Sequence, residues 1–121
     1  MTMTVLYIED SPINTMLVER VLRARPAVTF RSAPDGRTGL ARADQQRPHL
    51  VLLDLELPDV SGERILADLR ARNIPVIVVS GDTDPAVRRR TLANGARLFL
   101  LKPYEITDLL SAVDEYLGAE P

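Results

Sequence analysis

The sequence predicts one doubly wound α/β domain, a five-stranded parallel sheet with helices on both faces. Three observations predict it. Short apolar runs alternate with helical patterns five times along the 121 residues. The two runs expected at the middle of the sheet, Leu50-Val51-Leu52-Leu53 and Val76-Ile77-Val78-Val79, carry no polar residue, as strands covered on both faces require. Four of the five runs end in a polar or charged residue.

Val5-Leu6-Tyr7-Ile8 is the first strand. Ser11-Pro12 supplies an N-cap and a first-turn proline for a helix whose apolar positions are Ile13, Leu17 and Val21. The second strand, around Val28-Thr29-Phe30-Arg31, alternates apolar and polar residues and suits a sheet edge with one wet face. Asp35-Gly36 opens a helix running to about Gln46, and the third strand follows at Leu50. Ser61-Gly62 opens the third helix, with Ile65, Leu66 and Leu69 on one side. After the fourth strand, Asp84-Pro85 caps a helix that stops near Asn94-Gly95. Leu98 to Leu101 form the fifth strand, and a last helix spans about Glu105 to Leu117 with Ile106, Leu109, Leu110, Val113 and Leu117 facing inward. Consecutive βα units with right-handed crossovers and an edge-like second strand favour the flavodoxin-like strand order 2-1-3-4-5. No linker, repeat or low-complexity tract interrupts this rhythm, so the domain is expected to fill residues 1–121, with its core over about 4–118.

Composition narrows the function classes. Apolar residues make up 45% of the chain, which is globular rather than disordered. A net charge of −2 offers no electrostatic case for nucleic acid or anionic membrane. The absence of cysteine excludes disulfides and thiolate metal sites. No apolar run approaches the roughly 20 residues that span a bilayer. Met1-Thr2-Met3-Thr4 has no basic segment of the signal-peptide kind, and a cytoplasmic protein is expected. Every basic residue but Lys102 is arginine, so the single lysine invites a specific role.

The strand ends carry the chemistry. In open parallel sheets ligands bind outside the carboxyl ends of the strands, at the switch point. Glu9-Asp10 ends the first strand, Asp54 the third, Ser80 the fourth and Lys102 the fifth. Acids as close as Glu9, Asp10 and Asp54 would be cannot all stay ionised unaided. Either one holds a proton or a cation sits among them, and a hard divalent ion with oxygen ligands, Mg²⁺ in particular, fits. Asp10 could instead cap the following helix, whereas Asp54 precedes Leu55-Glu56-Leu57-Pro58, where no helix begins. Lys102, directly after a buried strand and before Pro103, would point across the acids, although a surface lysine is the commoner fate. Pro103 admits a cis bond. Ser80-Gly81 offers a hydroxyl either to an anion at Asp54 or to its own loop, and Phe99 taken alone is core.

Glu9-Asp10, Asp54 with Pro58 and Gly62 after it, Ser80-Gly81 and Lys102-Pro103 together resemble the response-regulator receiver domain of two-component signalling, over Val5 to Leu117. The resemblance implies that Asp54 takes a phosphoryl group from a phosphohistidine to form an acyl phosphate. It implies that Asp10, Asp54 and the backbone carbonyl of Glu56 bind Mg²⁺ or Mn²⁺, with Glu9 acting through metal-bound water. Lys102 and Ser80 would contact phosphoryl oxygens, and Phe99 would be a switch aromatic, with Ser80 and Pro103 in the same switch. It further implies a histidine kinase or histidine phosphotransfer protein as donor. A downstream protein or fused domain would be reached through the face of the fourth helix, fifth strand and fifth helix. Homodimerisation is compatible with it; direct contact with nucleic acid or membrane is not expected. Such a domain is a phosphoacceptor, not an enzyme acting on others. The chain could stand alone or belong to a hybrid histidine kinase or multidomain regulator. The Glu56 side chain adds a negative group beside Asp54, in a position that tunes dephosphorylation in the family, and Phe99 lacks the hydroxyl of the commoner tyrosine.

Two other functions compete. Asp54-Leu55-Glu56 resembles the paired acids of haloacid dehalogenase-like phosphohydrolases, but that family needs a cap and a longer chain, and Glu9-Asp10 would go unexplained. A pseudo-receiver used only for protein interaction would have lost the acceptor aspartate or the lysine, and both are present.

Overall fold

The computed structural model describes residues 2–117; residue 118, the expected end of the core, lies outside them. Five βα units follow one another: β1 (Met3–Ile8), α1 (Pro12–Leu22), β2 (Val28–Ala33), α2 (Gly36–Gln45), β3 (Leu50–Asp54), α3 (Gly62–Ala71), β4 (Val76–Ser80), α4 (Pro85–Ala93), β5 (Leu98–Leu101) and α5 (Ile106–Leu117). The strands are all parallel, in the order β2-β1-β3-β4-β5. The expected fold class and strand order are therefore those of the molecule.

Strand alternation divides the core between the two faces. Leu6, Ile8, Val51, Leu53, Val78 and Phe99 point to the face covered by α2, α3 and α4. Val5, Tyr7, Leu50, Leu52, Ile77 and Val79 point to the face covered by α1 and α5. Both faces of β3 and β4 are buried, which is why those strands tolerate no polar residue before their last position. Each fully buried leucine or isoleucine stabilises the fold by about 2 kcal/mol.

The helix starts follow the capping chemistry of the sequence. The Ser11, Asp35, Ser61 and Asp84 side chains each accept a backbone N–H of the first turn. Ser11, not Asp10, caps α1. At the far end of α4, Gly95 has φ +106°, the left-handed stop that a side chain disfavours.

The inward face of α1 differs from the expectation. Val18 and Leu22 are buried and Val21 is half-buried, but Ile13 is 65% exposed and Leu17 50%. The helix is turned by about one residue, because Asn14 faces inward to bond Glu9, and Asn14, Val18 and Leu22 then share one stripe. In α5, Leu109, Val113 and Leu117 are buried as expected, Leu110 is half-buried, and Ile106 is exposed. Ile106 stands in the first turn, beyond the sheet edge, and overhangs a groove of about 640 Å³ between α1 and the β5–α5 connection.

Candidate functional site

The carboxyl ends of β1, β3, β4 and β5 bring Glu9, Asp54, Ser80 and Lys102 to one sheet edge, as the strand order requires. Asp54 is the last residue of β3 and is 4% exposed. Its Oδ1 accepts the backbone N–H of Glu56 at 2.8 Å, and its Oδ2 accepts Lys102 Nζ at 2.9 Å. Lys102 Nζ also donates to Glu9 Oε1 at 2.9 Å, so one ammonium bridges two buried carboxylates. The Lys102–Pro103 peptide is cis.

A carboxylate oxygen from each of Glu9, Asp10 and Asp54 lies within 4.8 Å of the others. Glu9 and Asp54 are buried and Asp10 is exposed, so the cluster opens to solvent on Asp10's side. Three acids facing one lysine leave uncompensated negative charge, and an all-oxygen donor set of this size suits a hard divalent cation. The residues present fit such an ion.

Electrostatics follow from this crowding. Burial pushes the Asp54 carboxyl up from its ordinary 3.8 to about 7, with the Glu56 and Glu9 carboxylates adding to the rise and Lys102 opposing it. Burial works against ionising Glu9 as well, but its close neighbours Asp54, Lys102 and Tyr7 outweigh burial and bring it down to about 2. Glu9 therefore holds the charge while Asp54 shares the available proton. Burial opposes the charge on Lys102, yet the two carboxylates outweigh it and raise its affinity for the proton.

Ser80 is fully buried, and its hydroxyl bonds its own loop, the second of the two expectations. It accepts the N–H of Asp82 at 3.0 Å, within its own loop. It donates to Glu56 Oε1 at 3.2 Å, on the Asp54 side. Glu56 thus takes a contact that the sequence did not foreshadow. Phe99 is only 9% exposed and packs in the cluster under α4.

The loop from Asp54 to α3 is held from both ends. A Cβ on Gly62 would lie 2.4 Å from Leu55 Cα and 2.9 Å from the Asp54 carbonyl oxygen, so only glycine lets α3 start against the strand exit. Asp59 accepts the N–H groups of Gly36 and Arg37 at 2.9 and 3.0 Å, tying the loop to the start of α2. Three further positions escaped the sequence reading: Asp59, Tyr7 and Asn14. Only Tyr7 had a local signal, since it lies two residues before Glu9 on the same face of β1.

Comparison with known proteins agrees with this geometry. A family model described as the response regulator receiver domain matches residues 5–114. The polar-differentiation response regulator DivK of Brucella ovis is 30% identical over 98% of both chains. A protein-glutamate methylesterase/protein-glutamine glutaminase of Koribacter versatilis is 36% identical over 87% of this chain, which spans only 30% of that longer protein. A CheY-like response regulator receiver domain protein from Methanospirillum hungatei superposes with a TM-score of 0.89 at 24% identity, covering 98% of this chain and 95% of that one. The receiver domain of a Pseudomonas aeruginosa sensor histidine kinase, solved with a magnesium ion in its active-site cleft, gives 0.86 at 25% identity, covering 98% of this chain and all (100%) of that one. With a family model matching nearly the whole chain and a relative covered along almost its whole length, this protein belongs to the response regulator receiver domain family, a signalling family of two-component systems.

Proposed function

We propose that Asp54 is the phosphoacceptor of this domain, taking a phosphoryl group from a histidine-phosphorylated kinase or phosphotransfer protein in the cytoplasm. The observation that carries the reading is the Asp54 carboxylate, buried at a strand end, 2.9 Å from Lys102 Nζ and beside Glu9 and Asp10. An Asp54 oxygen forms the new O–P bond as the N–P bond of the phosphohistidine breaks; the bonding pair stays on the imidazole nitrogen, which takes a proton from water. Asp54 attacks as the anion. Lys102 stabilises that anion, and its compact ammonium can then follow the charge onto a phosphoryl oxygen.

Asp10, Asp54 and the Glu56 carbonyl are the groups that would hold Mg²⁺, with Glu9 behind a bound water; the ion supplies positive charge opposite the phosphoryl oxygens. Ser80 would exchange its Glu56 contact for a phosphoryl oxygen, and that exchange would pull on the β4–α4 loop and on Phe99. The surface of α4, β5 and α5 would pass the change to a partner or fused domain. The exposed apolar row Ile13, Met16 and Leu17 on α1 gives a donor protein a surface beside the acceptor.

Incubation with acetyl phosphate and Mg²⁺, read by intact mass, tests the reading. One added phosphoryl group is expected, and none with Asp54→Asn or with the metal chelated. If hydrolysis outruns the measurement, beryllofluoride should bind the wild type and perturb the Phe99 resonances. An unlabelled protein that also ignores beryllofluoride would overturn the proposal, as would steady turnover of p-nitrophenyl phosphate.

A further inference from the structure

The Glu9 carboxylate accepts more hydrogen bonds than any other group at the site. Tyr7 OH and Lys102 Nζ donate to Oε1 at 2.9 Å, and Asn14 Nδ2 at 3.1 Å. The backbone N–H groups of Asp10 and Ser11 donate to Oε2 at 3.1 and 3.4 Å. A carboxylate offers about four lone-pair directions. Glu9 is therefore saturated by the protein, whereas Asp54 accepts two hydrogen bonds and Asp10 stands exposed.

Tyr7 reaches Glu9 because residues i and i+2 of a strand share a face, about 6.6 Å apart, a gap that a phenol spans. The ring lies in the core beneath α1 and α5 and is 1% exposed. A phenylalanine would fill the same volume. Burying a hydroxyl among apolar side chains costs free energy unless it finds a partner, and here the partner is the acid beside the acceptor. Burial and the neighbouring Glu9 charge hold the phenol protonated, so it remains a donor throughout the physiological range.

From this geometry we infer that Tyr7, assisted by Asn14, is a positioning residue that pins Glu9 as the resting anchor of Lys102 and keeps its carboxylate off the metal. The inference rests on the phosphoacceptor reading above. Glu9 lies within 4.8 Å of both other acids and could reach an ion that they hold. Two effects point the same way when the hydroxyl is removed. Glu9 gains freedom to turn toward the cation, and the positive end of the O–H dipole no longer offsets its charge. The wild-type arrangement accordingly keeps the ion loosely held and Lys102 available to the phosphoryl group.

The test compares wild type, Tyr7→Phe and Asn14→Ala by Mg²⁺ titration, followed by amide NMR without any phosphodonor. Both variants should bind Mg²⁺ more tightly, by about threefold or more, because the freed Glu9 carboxylate adds its charge and an oxygen donor to the ion. The Glu9 and Asp10 amides should show larger metal-induced shifts than in the wild type. Asn14→Ala changes a partly exposed helix position and leaves the core intact, so it carries the test if Tyr7→Phe does not fold. Mg²⁺ affinities equal to the wild type in the folded variants would overturn the inference and leave the hydroxyl a purely structural partner. Wild-type protein that binds no Mg²⁺ would overturn the phosphoacceptor reading along with it.

Discussion

Glu56 shows how much one side chain can decide at this site. Its backbone N–H supports Asp54 Oδ1, while its carboxylate accepts the Ser80 hydroxyl that a phosphoryl group at Asp54 would require. The side chain therefore stands where the proposed phosphoryl group would enter, and like charges resist sharing that space. Glu56→Gln should speed labelling by acetyl phosphate about threefold, since removing one charge about 6 Å away lowers the barrier by roughly 0.7 kcal/mol when water screens it fully. The same change should weaken Mg²⁺ binding, because the ion loses a neighbouring negative charge. Time courses of intact mass and a Mg²⁺ titration measure the two effects, and labelling slower than wild type would count against the blocking role. The residue scale is also where the sequence was least informative. Glu56 could be recognised as an extra acid near Asp54, but its bond to Ser80 joins positions 24 apart in the chain.

Among the elements, α3 and α1 make opposite points. The start of α3 is dictated by contact between backbones: Gly62 lies so close to Leu55 that a methyl group could be accepted only if the helix moved. Gly62→Ala should destabilise the protein by about 2–3 kcal/mol, the cost of overpacking against atoms that cannot rotate away. It should also reduce phosphorylation by displacing the Asp54–Glu56 turn. Urea denaturation reads the first effect and acetyl phosphate labelling the second; a variant as stable as wild type would show that α3 docks with more freedom than its packing implies. For α1, the Ser11-Pro12 signal located the helix, yet its hydrophobic pattern misplaced the buried stripe. One stripe offers Ile13, Leu17 and Val21 and the next Val18 and Leu22, and the choice falls to Asn14, whose amide is drawn to Glu9. The exposed Ile13 and Leu17 follow from that choice, not from any weakness of the helix.

For the molecule as a whole, the site opposes the stability of the fold. Between about pH 4.5 and 7 the folded protein holds a proton on Asp54, at about 7, that the unfolded chain has released from a carboxyl of ordinary 3.8. Stability contributed by that proton is present at low pH and is lost as the pH rises through 7. Glu9 works in the other direction and lower down: depressed from 4.5 to about 2, it stabilises the fold fully above 4.5 and ceases to as the pH falls toward 2. Thermal melts without divalent metal should therefore show stability falling from pH 5 to pH 7.5, by up to about 3 kcal/mol. Asp54→Asn should flatten this slope, and millimolar Mg²⁺ should offset it by binding the ionised site. A metal-free profile that rises over the same interval would contradict the placement of the proton.

The amino-acid sequence on its own determined the alternation of strands and helices, their caps and the gathering of Glu9, Asp10, Asp54, Ser80 and Lys102 at one sheet edge. These are legible because periodicity, N-cap chemistry and strand ends are local features, and the parallel order then leaves few ways to arrange them. Only the tertiary structure decided the rotation of α1, the glycine contact beneath α3 and the partners of Glu9, Ser80 and Asp59. Lys102 meets Glu9 across 93 positions, and no local pattern records which of its lone pairs that ammonium will occupy. Such contacts arise when packing confines polar groups away from water and leaves them to satisfy one another.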